Sequence, residues 1–136
     1  EGWDIVLSTG CDWNEKKAQD AVQSVIDQKK DFNVIYAEND NMAKGAVAAL
    51  DKAGIEHGVG KKVIVMGFDC NKWALKELLN KNWNYDGQCN PFQSEYLDEI
   101  IKKLEAGETV EKKIVMDEKG FDAETITEDD VNTYGI

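Results

Sequence analysis

Arginine is absent from this 136-residue chain, and its 16 basic residues are all lysines set against 27 acidic ones, for a net charge of −11. That balance argues against a binder of nucleic-acid backbones, which relies on neutralising cations. It also removes the planar fork that grips carboxylates and phosphates with two hydrogen bonds at once. An acidic surface of this kind keeps a protein soluble. Histidine occurs once, as His57 in a polar loop. No apolar run approaches the roughly 20 residues that a membrane-spanning helix needs. The sequence contains no repeat, no low-complexity segment, and nothing like a phosphate-binding glycine loop or a nucleophile elbow. What is present suffices for one domain: 42% of the residues are apolar, enough to bury a single core. The chain opens at Glu1-Gly2-Trp3, almost directly on a strand, and is expected to be a piece of a longer protein that has left its targeting information behind.

The organising stretch is Phe32 to Ala46. A short apolar run rich in β-branched and aromatic residues leads into the polar turn Glu38-Asn39-Asp40-Asn41, and helical spacing follows. Around it the hydrophobic periods alternate. Residues 3–8 read as a strand. Asn14 caps a helix running to about Lys29, with Ala18, Ala21, Val22, Val25 and Ile26 on one face. After the central strand, Met42, Ala43, Ala46, Val47, Leu50 and Ala53 mark a helix that Gly54 stops. Residues 62–68 form a continuous apolar run, as expected of a strand covered on both faces. A short helix over Lys72–Leu79, a weaker strand over residues 82–88, and an amphipathic helix from about Phe92 to Ala106 come next. On that last helix Tyr96, Leu97, Ile100, Ile101 and Leu104 are expected to face inward. Residues 112–116 could make an edge strand, and Thr127 with Asp130 spaces a capping box. The β-α-β-α-β-α-β-α-β order predicts an α/β fold, a mainly parallel sheet with helices on both faces.

In such a sheet the carboxyl ends of the strands share one edge, where ligands bind. The residues just beyond those ends are Cys11-Asp12-Trp13, Glu38-Asn39-Asp40, Phe68-Asp69-Cys70 and Gln88-Cys89-Asn90. Each set mixes hydrogen-bonding groups with rings or small residues, the combination that sugar hydroxyls and sugar C–H faces require. Simpler roles stay open beside that one. Asn39, Asp40 and Asp69 could be turn formers or helix caps, and Trp13 could pack in the core or at its rim. His57 falls away from the edge. Cys11, Cys70 and Cys89 fall at it, where buried inert thiols are the simplest expectation; one disulfide, a zinc site and a catalytic thiol are the alternatives.

With those residues in view, the sequence resembles the sugar-binding proteins of bacterial ABC importers, the type I periplasmic-binding family, and within it the ribose- and galactofuranose-type branch. The resemblance rests on Ala37-Glu38-Asn39-Asp40-Asn41-Met42-Ala43-Lys44-Gly45-Ala46, on Val63-Ile64-Val65-Met66-Gly67-Phe68-Asp69, on Gln88-Cys89-Asn90-Pro91-Phe92 and on Gly10-Cys11-Asp12-Trp13. It implies a three-layer α/β/α architecture, one incomplete lobe of a two-lobe protein. Residues 1–136 would form the carboxy-terminal lobe without its first strand-helix unit, and the helix near 92–106 would belong to the missing lobe. It further implies capture of a monosaccharide and its delivery to the membrane permease of an importer, outside the cytoplasm, in a periplasm or as a cell-surface lipoprotein. No enzymatic activity, cofactor, metal or nucleic acid is implied. Carried over residue by residue, Asn39 and Asp69 match the family's sugar-contacting side chains, Phe68 the aromatic beside them, Trp13 a ring packed on the sugar, and Gln88 a polar contact near the hinge. Alone, the piece is expected to bind sugar weakly or not at all, and its unpartnered helix makes a swapped or intertwined homodimer an expectation. Within the fold the rival is the effector-binding domain of a lactose-repressor-type regulator; from another class the rival is a small flavodoxin-like enzyme or receiver domain with Asp12, Asp40 and Asp69 around a divalent metal.

Overall fold

Apolar runs too short for helices and helices with one apolar stripe can hide both surfaces only by stacking on each other. A computed structural model describes residues 2–136. In order they form α1 (Glu15–Asp27), β1 (Val34–Tyr36), α2 (Asp40–Ala53), β2 (Ile64–Asp69), α3 (Lys72–Leu79), β3 (Tyr85–Gln88), α4 (Ser94–Glu105), β4 (Gly120–Asp122) and α5 (Glu128–Tyr134). The strands lie side by side in the order β1-β2-β3-β4. β1, β2 and β3 run parallel, and β4 joins β3 antiparallel, with Asp86 opposite Phe121.

Local chemistry explains the helix ends. Asn14 accepts the Lys17 N–H and starts α1, and α2 stops where Gly54 turns left-handed at φ 67°. At α5, Thr127 and Asp130 bond each other's backbone N–H groups in a reciprocal capping box. α1 packs on α2, where Gly45 lets the helices meet: a Cβ there would stand 2.0 Å from the Glu15 carbonyl. The core below holds Leu50, Val63, Val65, Leu75, Leu78, Trp83, Phe121 and Val131. The other face of the sheet carries Tyr36, Met66, Phe68 and Tyr85, none of them buried, with Phe68 ringed by Tyr36 at 5.2 Å and Tyr85 at 6.4 Å.

Three sequence expectations meet a different outcome. Residues 3–8 form no strand, and Trp3 and Ile5 are 77% and 78% exposed; a strand needs a neighbouring ladder, and β1 pairs only with β2. Residues 112–116 are likewise unpaired, because Gly120–Asp122 occupies the edge beside β3. α4 has the expected amphipathic pattern, yet Leu97, Ile101 and Leu104 are more than half exposed, since no other described element packs closely on it.

Candidate functional site

The rim is assembled from the exits of β1 and β2. Asn39 is the N-cap of α2; its side-chain oxygen accepts the Met42 N–H at 3.0 Å, as a cap should. The other end of the same carboxamide is turned outward from the helix. Its Nδ2 donates to Asp69 Oδ2 at 2.5 Å, a contact across 30 residues of sequence. The capping and rim roles are therefore held by one side chain at once. Asp69 closes β2 with φ 125° and Cys70 follows with φ 61°, a left-handed region that non-glycine residues enter at a cost of about 1–3 kcal/mol each. Asp69 caps no helix: the N-cap of α3 is Asn71, without a side-chain cap bond of its own.

Asp69 and Gln88 are register partners on adjacent strands, so their side chains leave the sheet edge in neighbouring positions. Gln88 is tied further to the residue just before β4, since its side-chain oxygen accepts the Lys119 N–H at 3.2 Å and its own N–H donates to the Lys119 carbonyl. Asn39, Asp69 and Gln88 thus follow one another along one edge. Phe68 does not join them; alternation sends its ring to the opposite face, between Tyr36 and Tyr85. Trp13 stands in a turn where Asp12 and Trp13 have φ 50° and 54°, and its indole is 74% exposed, so it packs in no core. Hollows elsewhere on the surface are lined by Lys44, His57 and Trp73 or by Lys29, Phe32 and Lys62, none of them rim residues. The rim is a ledge on which Asn39 is buried and Asp69 and Gln88 are half-buried.

Beneath the ledge lies a feature that the sequence reading did not single out. Asp40 and Asp86 are both fully buried. Asp40 Oδ2 accepts the Asn71 N–H at 2.8 Å and Asn71 Nδ2 at 3.1 Å. Asp86 Oδ1 accepts the Cys70 N–H at 3.3 Å and faces the Cys70 thiol at 3.8 Å. Burial first, and then the Asp40 carboxylate, pushes the Asp86 carboxyl well above the usual range, and burial raises Asp40 as well. Burial and the neighbouring Asp86 likewise push the Cys70 thiol up, so it is inert. The available signal was an aspartate within a strand, a position that residue seldom occupies.

All three cysteines are free thiols, Cys11 and Cys70 buried and Cys89 exposed, so no disulfide forms and burial does not extend to Cys89. Asp12, Asp40 and Asp69 do not assemble: Asp12 pairs with Lys17 on the surface, Asp40 is turned to Asn71 and Asp86, and no group of three ligating side chains occurs among the described residues. His57 bridges the Asn82 carbonyl and Asp51 away from the rim.

The model of the periplasmic binding protein domain matches residues 1–108. The fructose import binding protein FruE of Bifidobacterium longum is 31% identical over 126 residues, covering 91% of this chain and 37% of FruE. A solute-binding protein of an ABC transporter from Actinobacillus succinogenes, solved with bound D-allose, superposes with a TM-score of 0.79 at 26% identity over 96% of this chain and 44% of its own. A galactofuranose-binding protein shares the fold with a TM-score of 0.83 at 21% identity, over 96% of this chain and 45% of that one. The chain therefore spans less than half the length of these proteins.

Proposed function

The chain belongs to the periplasmic binding protein domain family, and from that membership we propose that it is the carboxy-terminal lobe of a two-lobe sugar-binding protein serving an ABC importer. In this reading the rim is half of a cleft. Asn39 and Asp69 supply fixed hydrogen-bonding groups to sugar hydroxyls, Gln88 extends the polar row, Trp13 offers a ring to a sugar face, and Phe68 stiffens the sheet edge from behind. The observation that carries the reading is the Asn39–Asp69 contact, where two short polar side chains from separate strand exits converge and Asp69 sits on backbone held off its relaxed conformation. Such strain persists where the surroundings over-determine it, as they do at ligand sites. The named relatives are binding proteins, in keeping with a non-enzymatic role, and they do not favour a repressor effector domain.

The missing half has structural counterparts here. α4 presents Leu97, Ile101 and Leu104 to solvent, an apolar stripe suited to packing in the absent first lobe. In its absence a second copy of the chain is the natural cover, giving an intertwined homodimer. The whole protein would work outside the cytoplasm, as a periplasmic or lipid-anchored receptor, and hand its sugar to a membrane permease.

The test is calorimetric titration of the two-lobe protein with pentoses and hexoses. Asn39→Ala and Asp69→Ala should each weaken affinity by about 1–3 kcal/mol, because each leaves buried hydroxyls unpaired. Unchanged affinity in both variants removes these residues from the site, and no binding to any sugar removes the reading.

A further inference from the structure

The orphan oxygens beneath the rim carry a consequence of their own. Asp40 Oδ1 and Asp86 Oδ2 are buried and have no hydrogen-bond partner among the described residues, and the two carboxyl groups are neighbours: Gly67 is the register partner of Asp86, and a Cβ on it would stand 2.6 Å from Asp40 Oδ1. Among the described residues no lysine bonds either of them. The groups that face them are Asn71 and Cys70 from the loop after β2, the Asp69 carboxylate at its end, and Gly67 of β2, with Trp83 alongside. Two buried carboxylates in such surroundings cannot both ionise. A single proton between them turns an unsatisfied, repelling pair into a satisfied one.

We propose that Asp86 is a positioning residue for the rim: as the neutral acid it donates to Asp40 Oδ1, and Asp40, so fixed, holds Asn71 and keeps the Asn39 and Asp69 turns in register. The linkage is short. Asp40 is the residue after Asn39, and Asn71 lies two residues beyond Asp69. Three segments that no single element joins, the start of α2, the loop after β2 and the middle of β3, are thus tied through one proton. When it leaves, two negative charges face each other with Asp69 nearby, and the loop must move to let in water. Deprotonation therefore loosens the Asn39–Asp69 contact. For ligand capture this inference rests on the sugar-binding reading; the positioning role itself does not.

The experiment is an NMR titration of the 136-residue chain, following the aspartate carboxyl carbons and the side-chain amides of Asn39 and Asn71. In the native chain the Asp86 carboxyl should stay protonated at neutral pH, and the Asn39 and Asn71 amide signals should shift together with its ionisation on the alkaline side. In Asp86→Asn, whose amide donates permanently to Asp40, that shift should vanish while the neutral-pH positions are kept. Ionisation of both carboxyls in the ordinary range, or amide signals that ignore Asp86, overturns the proposal. The native titration decides this even if the variant does not fold, and Asp40→Asn provides a second route to the same loss of coupling. A parallel series of sugar titrations on the two-lobe protein separates the two readings. Affinity that falls with the Asp86 ionisation in the native two-lobe protein but stays level in its Asp86→Asn variant supports the linkage. Coupled amides with no sugar binding at any pH support the positioning role and overturn sugar capture. Sugar binding with a flat pH profile and uncoupled amides overturns the positioning role alone.

Discussion

Asn39 holds two bonds with one carboxamide, and substitutions can take them apart. Its oxygen caps α2 through the Met42 N–H, and its nitrogen reaches the Asp69 carboxylate. Loss of a side-chain cap costs about 1 kcal/mol. A hydrogen bond to a charged acceptor is worth about 1.5–3 kcal/mol; Asp69 is only partly buried, which places this one toward the low end. Asn39→Ala should therefore destabilise the chain by about 2–3 kcal/mol, a fall of roughly 6–15 °C in Tm for a domain of this size. Asn39→Ser keeps an oxygen that can cap but has nothing to reach Asp69, so it should recover about 1 kcal/mol of that loss. Combining Asn39→Ala with Asp69→Ala should cost less than the sum of the single changes by about 1–2 kcal/mol, because the contact can be removed only once. Urea unfolding followed by tryptophan fluorescence measures all of these. Equal losses for the serine and alanine variants, or strict additivity in the double variant, would refute the two-bond account.

Other expectations address separate parts of the molecule. Burial pushes Asp86 up to about 9, whereas an unfolded aspartate titrates at about 3.9. The folded chain thus keeps a proton that the unfolded one gives up, its contribution to stability is complete below about pH 4, and it is lost progressively as pH rises toward about 9. Urea midpoints should decline across that interval and level out in Asp86→Asn; a native midpoint that does not change with pH contradicts this. Gly67→Ala should destabilise by about 1–3 kcal/mol through overpacking, since its Cβ would lie 2.6 Å from Asp40 Oδ1 and 2.9 Å from the Trp83 ring, and an unaltered thermal midpoint would show that the floor can yield. Leu97→Ser together with Ile101→Ser should leave the unfolding midpoint of a monomer within about 0.5 kcal/mol while abolishing self-association in sedimentation velocity, and a dimer that survives both changes places the contact elsewhere.

Where structure follows from neighbours in sequence, it was legible. Asn14, Gly54 and the Thr127–Asp130 pair end or begin helices through bonds spanning a few residues, and α3 occupies Lys72–Leu79 as its spacing predicts. The convergence of strand exits was legible too, because parallel topology alone brings Asn39 and Asp69 to one edge. What failed was whatever depends on a partner. The Trp3–Ser8 run and the α4 stripe have the right patterns but nothing to pack against, and no local pattern reports whether its counterpart is present. Asp86 escaped notice for the opposite reason: its significance comes from Asp40, which is remote in sequence and comes near only when α2 is laid over β2, the strand beside β3.

The last residue of the chain is sewn into the same region. Ile136 donates its N–H to the Cys70 carbonyl at 3.1 Å, and its own carbonyl accepts the Lys72 N–H at 2.9 Å. The tail end and the bend that carries Asp69 are therefore mechanically one piece. A pull applied at position 136, by a fused tag or a surface tether, is delivered straight to that bend, so a probe meant to leave the ledge undisturbed is better anchored on the solvent side of α1.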